Sequence, residues 1–164
     1  MKTLRKIVSG VLLGLVGGGA VAMASEPGNN SFTPNTVALA GDWEVMVDTG
    51  AGHSFGVKSG SLSSTTDVDY ILVTCGSQSR QHIQSIQLGG DSTTASLPLP
   101  GDFDIYLYDP SSSSAIASGT LGGTAAESID LTSSHRNTVV AKIVWFAGAT
   151  GTYYLRPTCW DAGL

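Results

Sequence analysis

The chain has 164 residues and a formal net charge of −5, with 13% charged and 41% hydrophobic residues. This length fits one domain, which can bury a two-layer core without help from metals or many disulfides. The acidic balance argues against partners that are themselves polyanions, namely nucleic acids and anionic membranes.

The first 24 residues have the pattern of a secretory signal peptide. A basic start is followed by an apolar run at 7–21 and by small residues at Ala22 and Ala24. An uncleaved anchor is the alternative, although the run is short for a membrane-spanning helix. We therefore predict an exported protein, periplasmic or extracellular, that has no membrane attachment after cleavage. Residues 25–164 keep five Lys and Arg against 13 Asp and Glu, a formal net charge of −8.

Residues 25–41 are rich in turn-forming residues and predict an N-terminal arm that packs on the body. From residue 42 to 164, short runs rich in β-formers alternate with clusters of Gly, Ser, Thr, Asp and Pro, which favours an all-β domain. We predict a jelly-roll-like antiparallel β-sandwich of about eight or nine strands. The predicted strands are 43–48, 55–62, 68–75, 80–88, 102–109, 114–118, 127–131, 137–146 and 151–158.

Two of these strands begin with paired aspartates, T-T-D-V-D-Y-I-L-V at 65–73 and G-D-F-D-I-Y-L-Y-D at 101–109. Residues two apart on a strand share a face, so each pair is expected to point its carboxylates to one side and the apolar side chains to the other. In the second strand, the residues expected to face the core are Phe103, Ile105 and Leu107. Those expected to face outward are Asp102, Asp104, Tyr106 and Tyr108.

These outward residues, Asp102, Asp104, Tyr106 and Tyr108, form a candidate strip for binding a carbohydrate or a peptide. The structural alternative is that the tyrosines satisfy strand propensity and cover the sheet, while the aspartates form a solvated face. Both interpretations stay open on the sequence.

Cys75 and Cys159 are the only cysteines in the chain. An even count in an exported protein favours one disulfide, and two unpaired buried thiols are the alternative. Neither cysteine has a second ligand at zinc-binding spacing, so a zinc site is not expected.

Gly52-His53-Ser54-Phe55-Gly56 satisfies the G-x-S-x-G pattern of hydrolase nucleophiles. That pattern needs a strand–turn–helix, and the segment continues into a glycine-flanked strand instead, so a flexible loop is predicted. His53, His82 and His135 are scattered along the chain in polar contexts and are predicted to be surface residues. No catalytic constellation emerges, and we do not expect an enzyme.

The chain resembles the bacterial pre-peptidase C-terminal domain, in a free-standing form. Four blocks carry the resemblance, in order: E-P-G-N-N-S-F-T-P-N-T-V-A-L at 26–39, S-G-S-L-S-S-T-T-D-V-D-Y-I-L-V at 59–73, G-D-F-D-I-Y-L-Y-D at 101–109 and A-G-A-T-G-T-Y-Y-L-R at 147–156. The resemblance implies a sandwich without catalytic residues of its own. In some members, calcium binds between the arm and a neighbouring loop.

Carried onto this sequence, the resemblance implies calcium ligands in two segments. The arm would supply Glu26, Asn29 and Asn30, and the loop would supply Asp67 and Asp69, with Ser64 or a backbone carbonyl nearby. Carboxylate, amide and carbonyl oxygens are the ligands that Ca²⁺ prefers. The structural alternative is that the Asn-Asn-Ser segment makes a turn and that the two aspartates accept hydrogen bonds from backbone amides.

The function expected is that of a secreted, non-catalytic binding module for an extracellular protein or polysaccharide, with calcium stabilising the arm. The alternative is a structural protein that self-associates by exchanging residues 25–41 between copies.

Overall fold

The computed structural model describes residues 44–47, 52–76 and 80–161. The predicted signal peptide and N-terminal arm, with Glu26, Asn29 and Asn30, lie outside the described residues. The described part forms ten strands: β1 Glu44–Val47, β2 Gly52–Phe55, β3 Lys58–Leu62, β4 Val68–Cys75, β5 Gln81–Gly89, β6 Gly101–Tyr108, β7 Ala115–Gly119, β8 Glu127–Asp130, β9 Thr138–Gly148 and β10 Gly151–Asp161.

The strands make two sheets that pack face to face as a β-sandwich. Sheet A has the order β1-β4-β9-β6-β7, and sheet B has the order β2-β10-β5-β8, with β3 also paired to β10. The predicted all-β sandwich is confirmed. All pairs are antiparallel except β1 with β4, which are parallel along Glu44–Val47.

The predicted strand at 55–62 is wrong in one respect, because two strands occupy this region. Both β2 and β3 pair with β10 in one continuous register, from Gly52 opposite Asp161 to Leu62 opposite Gly151. The interruption at Gly56 falls opposite Pro157, whose backbone N donates no hydrogen bond to the ladder. The Gly56 N–H still donates to the Pro157 carbonyl at 3.3 Å.

Alternating side chains from both sheets fill the space between them. Strand β6 has the predicted polarity, with Phe103, Ile105 and Leu107 all fully buried. The strongly apolar strand β9 is central in sheet A, as its composition predicts, with β4 on one side and β6 on the other. The core also contains Leu62, Ile71, Val73, Ile83, Ile86, Leu88, Val139, Ile143, Tyr153 and Leu155.

Two links join β4 of sheet A to β10 of sheet B through this core. The predicted disulfide between Cys75 and Cys159 is present, with a Cα–Cα distance of 5.6 Å, and it joins one end of the two strands. At the other end, the Tyr153 hydroxyl donates a 2.6 Å hydrogen bond to Asp69 Oδ2. The two links lie six positions apart on each strand, about 20 Å of extended chain.

Candidate functional site

The outer face of sheet A carries a group of three tyrosines and one lysine, which we call the tyrosine face: Tyr70, Tyr106, Tyr108 and Lys142. These side chains lie on it because their strands alternate and the intervening residues face the core. All four are partly buried, so each presents part of its surface to solvent.

Strand register aligns three of these residues in one row across the sheet. Lys142 of β9 lies opposite Tyr70 of β4 on one side and opposite Tyr106 of β6 on the other. Opposed residues on neighbouring strands have their Cβ atoms about 5 Å apart, so the three side chains are direct neighbours. The Lys142 Nζ lies 5.9 Å from the centre of the Tyr70 ring, within the range of a cation–π contact. Tyr108 lies two residues beyond Tyr106 on the same face of β6.

Two tyrosines of this face, Tyr70 and Tyr106, have a raised pKa. Burial, followed by the neighbouring Tyr108, raises the pKa of Tyr70 above its ordinary value. Burial, followed by the charge of Asp104 and the hydrogen bond to it, raises the pKa of Tyr106. The Tyr106 hydroxyl donates to Asp104 Oδ2 at 3.1 Å. The face therefore combines flat apolar rings, hydroxyls and one lysine, a combination suited to contact with an extended polar surface.

Asp102 and Asp104 border this face, but they do not form the solvated acidic surface that was the structural alternative. Each is only 8% exposed. Burial raises the pKa of Asp104, and the charge of Asp102 raises it further, against the hydrogen bond from Tyr106. Asp102 Oδ1 is buried without a hydrogen-bond partner.

Glu127 of β8 is a third buried carboxyl close enough to interact with this aspartate pair. Burial raises the pKa of Glu127, and the hydrogen bond from the Leu121 N–H at 2.6 Å lowers it. The charges of Asp104 and Asp102 raise this pKa further. Within the described ranges, no three or more His, Cys, Asp or Glu side chains are arranged to hold a metal ion.

The D-V-D pair at 67–69 is divided between two roles. Asp67 Oδ2 accepts hydrogen bonds from the backbone N–H and the hydroxyl of Ser63, each at 2.7 Å, and so stabilises the turn before β4. Asp69 is fully buried on the same face as Ile71 and Val73. The expectation that this pair points its carboxylates away from the apolar side chains is therefore wrong for Asp69. Its full burial inside the sandwich does not fit a surface calcium ligand, whereas Asp67, at the turn before β4, keeps 8% of its surface exposed.

The G-H-S-F-G segment lies mostly on strand β2 rather than in the predicted flexible loop. Ser54 is paired with Cys159 of β10, and the chain continues into β3. This is not the strand–turn–helix geometry of a nucleophile elbow.

The three histidines, distant in sequence, come together in the fold, and the predicted surface position holds for His53 and His135, which are exposed, but not for His82. His53 of β2 and His82 of β5 lie on either side of Trp160 of β10, and His135 packs against His82. His82 is 6% exposed and is therefore not a surface residue. Positions in the sequence alone do not reveal this cluster, because it depends on the order β2-β10-β5.

Sequence reasoning also missed Tyr70 and Lys142 as members of the site. A usable signal was present for Lys142, because it is the only charged residue in the apolar segment V-V-A-K-I-V-W-F. A lone charge in a central strand indicates a side chain that reaches solvent over its neighbours.

The comparisons with known proteins give a structural similarity and no family assignment. No family model matches the chain, and no curated protein matches it. Among solved structures, the chain is similar to the pre-peptidase C-terminal domain of collagenase from Bacillus anthracis, with 16% sequence identity and a TM-score of 0.39. The similarity covers 68% of this chain and 93% of that chain.

Among the residues that the structure describes, no helix has the length and apolar character needed to cross a membrane.

Proposed function

We propose that this protein is an exported, non-catalytic binding module of the pre-peptidase C-terminal type, and that it binds an extracellular protein or polysaccharide through the tyrosine face. The observation that carries the proposal is the row Tyr70–Lys142–Tyr106 on a half-exposed sheet face, with Tyr108 beside it. The disulfide across the core supports an exported location, since such bonds persist in oxidising compartments.

The chemistry of this face supports an extended polymer as ligand. Partly exposed rings offer flat apolar area, on which a sugar ring or a peptide side chain can stack. The hydroxyls and the ammonium group of Lys142 add donors that fix the orientation of the ligand. A face built on three paired strands is also rigid, so little side-chain or backbone freedom is lost on binding.

The experiment that tests the proposal is a co-sedimentation screen of the full chain, processed as in export. Insoluble polysaccharides and insoluble structural proteins are tested in separate experiments. In each, the loss of the binding module from the supernatant is measured. On a polymer that binds, Tyr106→Ala and Tyr108→Ala should each weaken the apparent affinity roughly tenfold, because a central aromatic contact is worth about 1–3 kcal/mol.

Tyr154→Ala is the matched control for these variants. Tyr154 is a half-buried tyrosine on an outward face, but it lies on β10 in the opposite sheet. Tyr154→Ala should leave the affinity for the polymer unchanged. Equal losses in Tyr106→Ala and Tyr154→Ala would count against a binding site on the tyrosine face.

Calcium stabilisation of the arm is also a proposal, and the calcium ligands proposed for it are Glu26, Asn29 and Asn30 together with Asp67. Asp69 is not among these ligands, because it faces the core. The test is a thermal melt with Ca²⁺ and with EDTA: the proposal expects a higher midpoint in Ca²⁺ for the natural chain and a smaller rise in Asp67→Ala. An identical midpoint in both buffers would reject it.

Self-association is the second candidate function, and the placement of β1 favours it. This strand directly follows the predicted arm and pairs parallel with β4 at the edge of sheet A. Exchange of the arm and β1 between two copies would preserve the same pairing, which is the usual geometry of domain swapping. Size-exclusion chromatography decides this: dimers or larger assemblies that disappear on deletion of residues 25–41 support it, and a monomer at all concentrations excludes it.

A further inference from the structure

Trp160 is the centre of a cluster that contains all three histidines of the chain. The His82 ring meets Trp160 edge-on, with 4.9 Å between centroids, and meets His135 edge-on at 5.2 Å. His53 lies on the opposite side of Trp160, with 6.5 Å between centroids. The two imidazoles of His82 and His135 are thus direct neighbours, while His53 lies on the other side of the indole.

The backbone around His135 is fixed on both sides. Before it, the Leu131 N–H donates to the Gln84 carbonyl at 2.8 Å. After it, the Arg136 carbonyl accepts from the Ile83 N–H at 2.6 Å. Ile83 and Gln84 directly follow His82 on β5, so the loop is tied to the strand that carries the other histidine.

His135 itself adopts a left-handed backbone conformation, with φ of +48°. Such a conformation is uncommon outside glycine and persists where the surroundings impose it. The next residue, Arg136, forms an ion pair with Asp109, which ties the loop to the other sheet as well. The backbone position of His135 beside β5 is therefore set by the fold.

The spacing of the two rings matches that of imidazoles that share a metal ion. A metal–nitrogen bond of about 2.0–2.1 Å places each ring centroid about 3.2 Å from the metal, and a tetrahedral angle then sets the two centroids about 5 Å apart. The observed separation is 5.2 Å. Imidazole nitrogen selects borderline transition metals over Ca²⁺ and Mg²⁺, which take oxygen ligands.

We propose that His82 and His135 form a two-imidazole site for a divalent transition-metal ion, with the Trp160 ring as its wall. No third His, Cys, Asp or Glu completes a three-ligand group in the described part of the chain, so water fills the remaining coordination positions. Cu²⁺ should bind most tightly and Ni²⁺ and Zn²⁺ more weakly, because affinities for such a site peak at copper. The site is separate from the tyrosine face, because it lies on the other sheet.

The test is a titration of the full chain, without a polyhistidine tag, with Cu²⁺, Ni²⁺ and Zn²⁺. Isothermal calorimetry gives stoichiometry and affinity, and quenching of tryptophan fluorescence by Cu²⁺ reports proximity to an indole. The expected result is saturable binding of one Cu²⁺ per chain, with the fluorescence change lost in Trp160→Phe.

Three variants separate the metal site from simple aromatic packing. His135→Gln should weaken Cu²⁺ binding at least tenfold, and because His135 is exposed, this variant should keep the fold. His82→Gln should also weaken Cu²⁺ binding at least tenfold. His53→Gln is the matched control, since it removes a histidine that contacts Trp160 but lies across the indole from the pair, and it should change the affinity less than twofold. No saturable binding by the natural chain, or equal binding by His135→Gln, would overturn the proposal.

Discussion

Replacing Tyr153 by Phe removes one hydroxyl from the middle of the sandwich and leaves the ring in place. Tyr153 and Asp69 are both fully buried, and their 2.6 Å hydrogen bond links β10 of sheet B to β4 of sheet A. The ring also packs edge-on against Phe103, with 6.5 Å between centroids, and this contact should survive the substitution. The change therefore isolates one polar link across the core.

The expected loss of stability follows from the burial of the partner. Removing the donor leaves a buried acceptor without this hydrogen bond, which costs about 1–3 kcal/mol. We expect Tyr153→Phe to lower the free energy of unfolding by about 2 kcal/mol. In a domain of this size, that corresponds to a fall in Tm of roughly 4–8 °C.

The assay is equilibrium urea unfolding followed by tryptophan fluorescence, with Tyr154→Phe as the matched control. Tyr154 is the next residue on β10 and is only partly buried, so its change should stay within about 0.5 kcal/mol. An unchanged denaturant slope would show that the variant loses stability without a change in the surface exposed on unfolding. A loss below 0.5 kcal/mol in Tyr153→Phe, or an equal loss in Tyr154→Phe, would refute the structural role assigned to the Tyr153–Asp69 link.

Three further predictions concern stability away from that link. Replacing Cys75 and Cys159 by Ala should lower the free energy of unfolding by about 4–5 kcal/mol, since the bond closes a loop with a sequence separation of 84; a loss below 1 kcal/mol in denaturant unfolding would contradict this. Glu127→Gln should raise Tm at pH 7–8 and not near pH 4. A carboxyl with a raised folded-state pKa is destabilising once pH rises through that pKa, and a gain independent of pH would contradict this cause. Asp91→Ala should speed amide hydrogen exchange at Leu97, because the Leu97 N–H donates to Asp91 Oδ1 at 2.9 Å. Unchanged exchange at Leu97 would refute the role of Asp91 in protecting this amide.

The strand pattern was predictable because most strands carry a clear alternation and are bounded by turn residues. Strand β6 is the clearest case, with Phe103, Ile105 and Leu107 on one face and polar residues on the other. Its period of two fixes which face meets the core. The break between β2 and β3 was not predictable, because its cause is Pro157, which is distant in sequence and adjacent only through strand pairing.

The orientation of β4 was harder to predict because both of its faces contain apolar residues. Ile71 and Val73 share a face with Asp69, whereas Leu72 shares the other face with Tyr70. The local sequence does not decide which of these faces is buried. In the fold, the carboxylate expected at the surface lies inside and accepts a hydrogen bond from Tyr153 of the opposite sheet.

Half of the tyrosine face could be predicted, because Tyr106 and Tyr108 follow from the alternation of one strand. The other half, Tyr70 and Lys142, depends on the neighbour order β4-β9-β6, which arises from long-range pairing. The histidine cluster has the same origin on the other sheet.

The measurement that tests the central claim most directly is a binding isotherm on a polymer retained in the co-sedimentation screen. The full chain, the double variant Tyr106→Ala/Tyr108→Ala and the control Tyr154→Ala are compared at equal fold stability. Two central aromatic contacts of about 1–3 kcal/mol each predict that the double variant binds at least about 30-fold more weakly, while Tyr154→Ala binds like the natural chain. Equal affinity for the double variant and the natural chain would contradict a binding site on the tyrosine face.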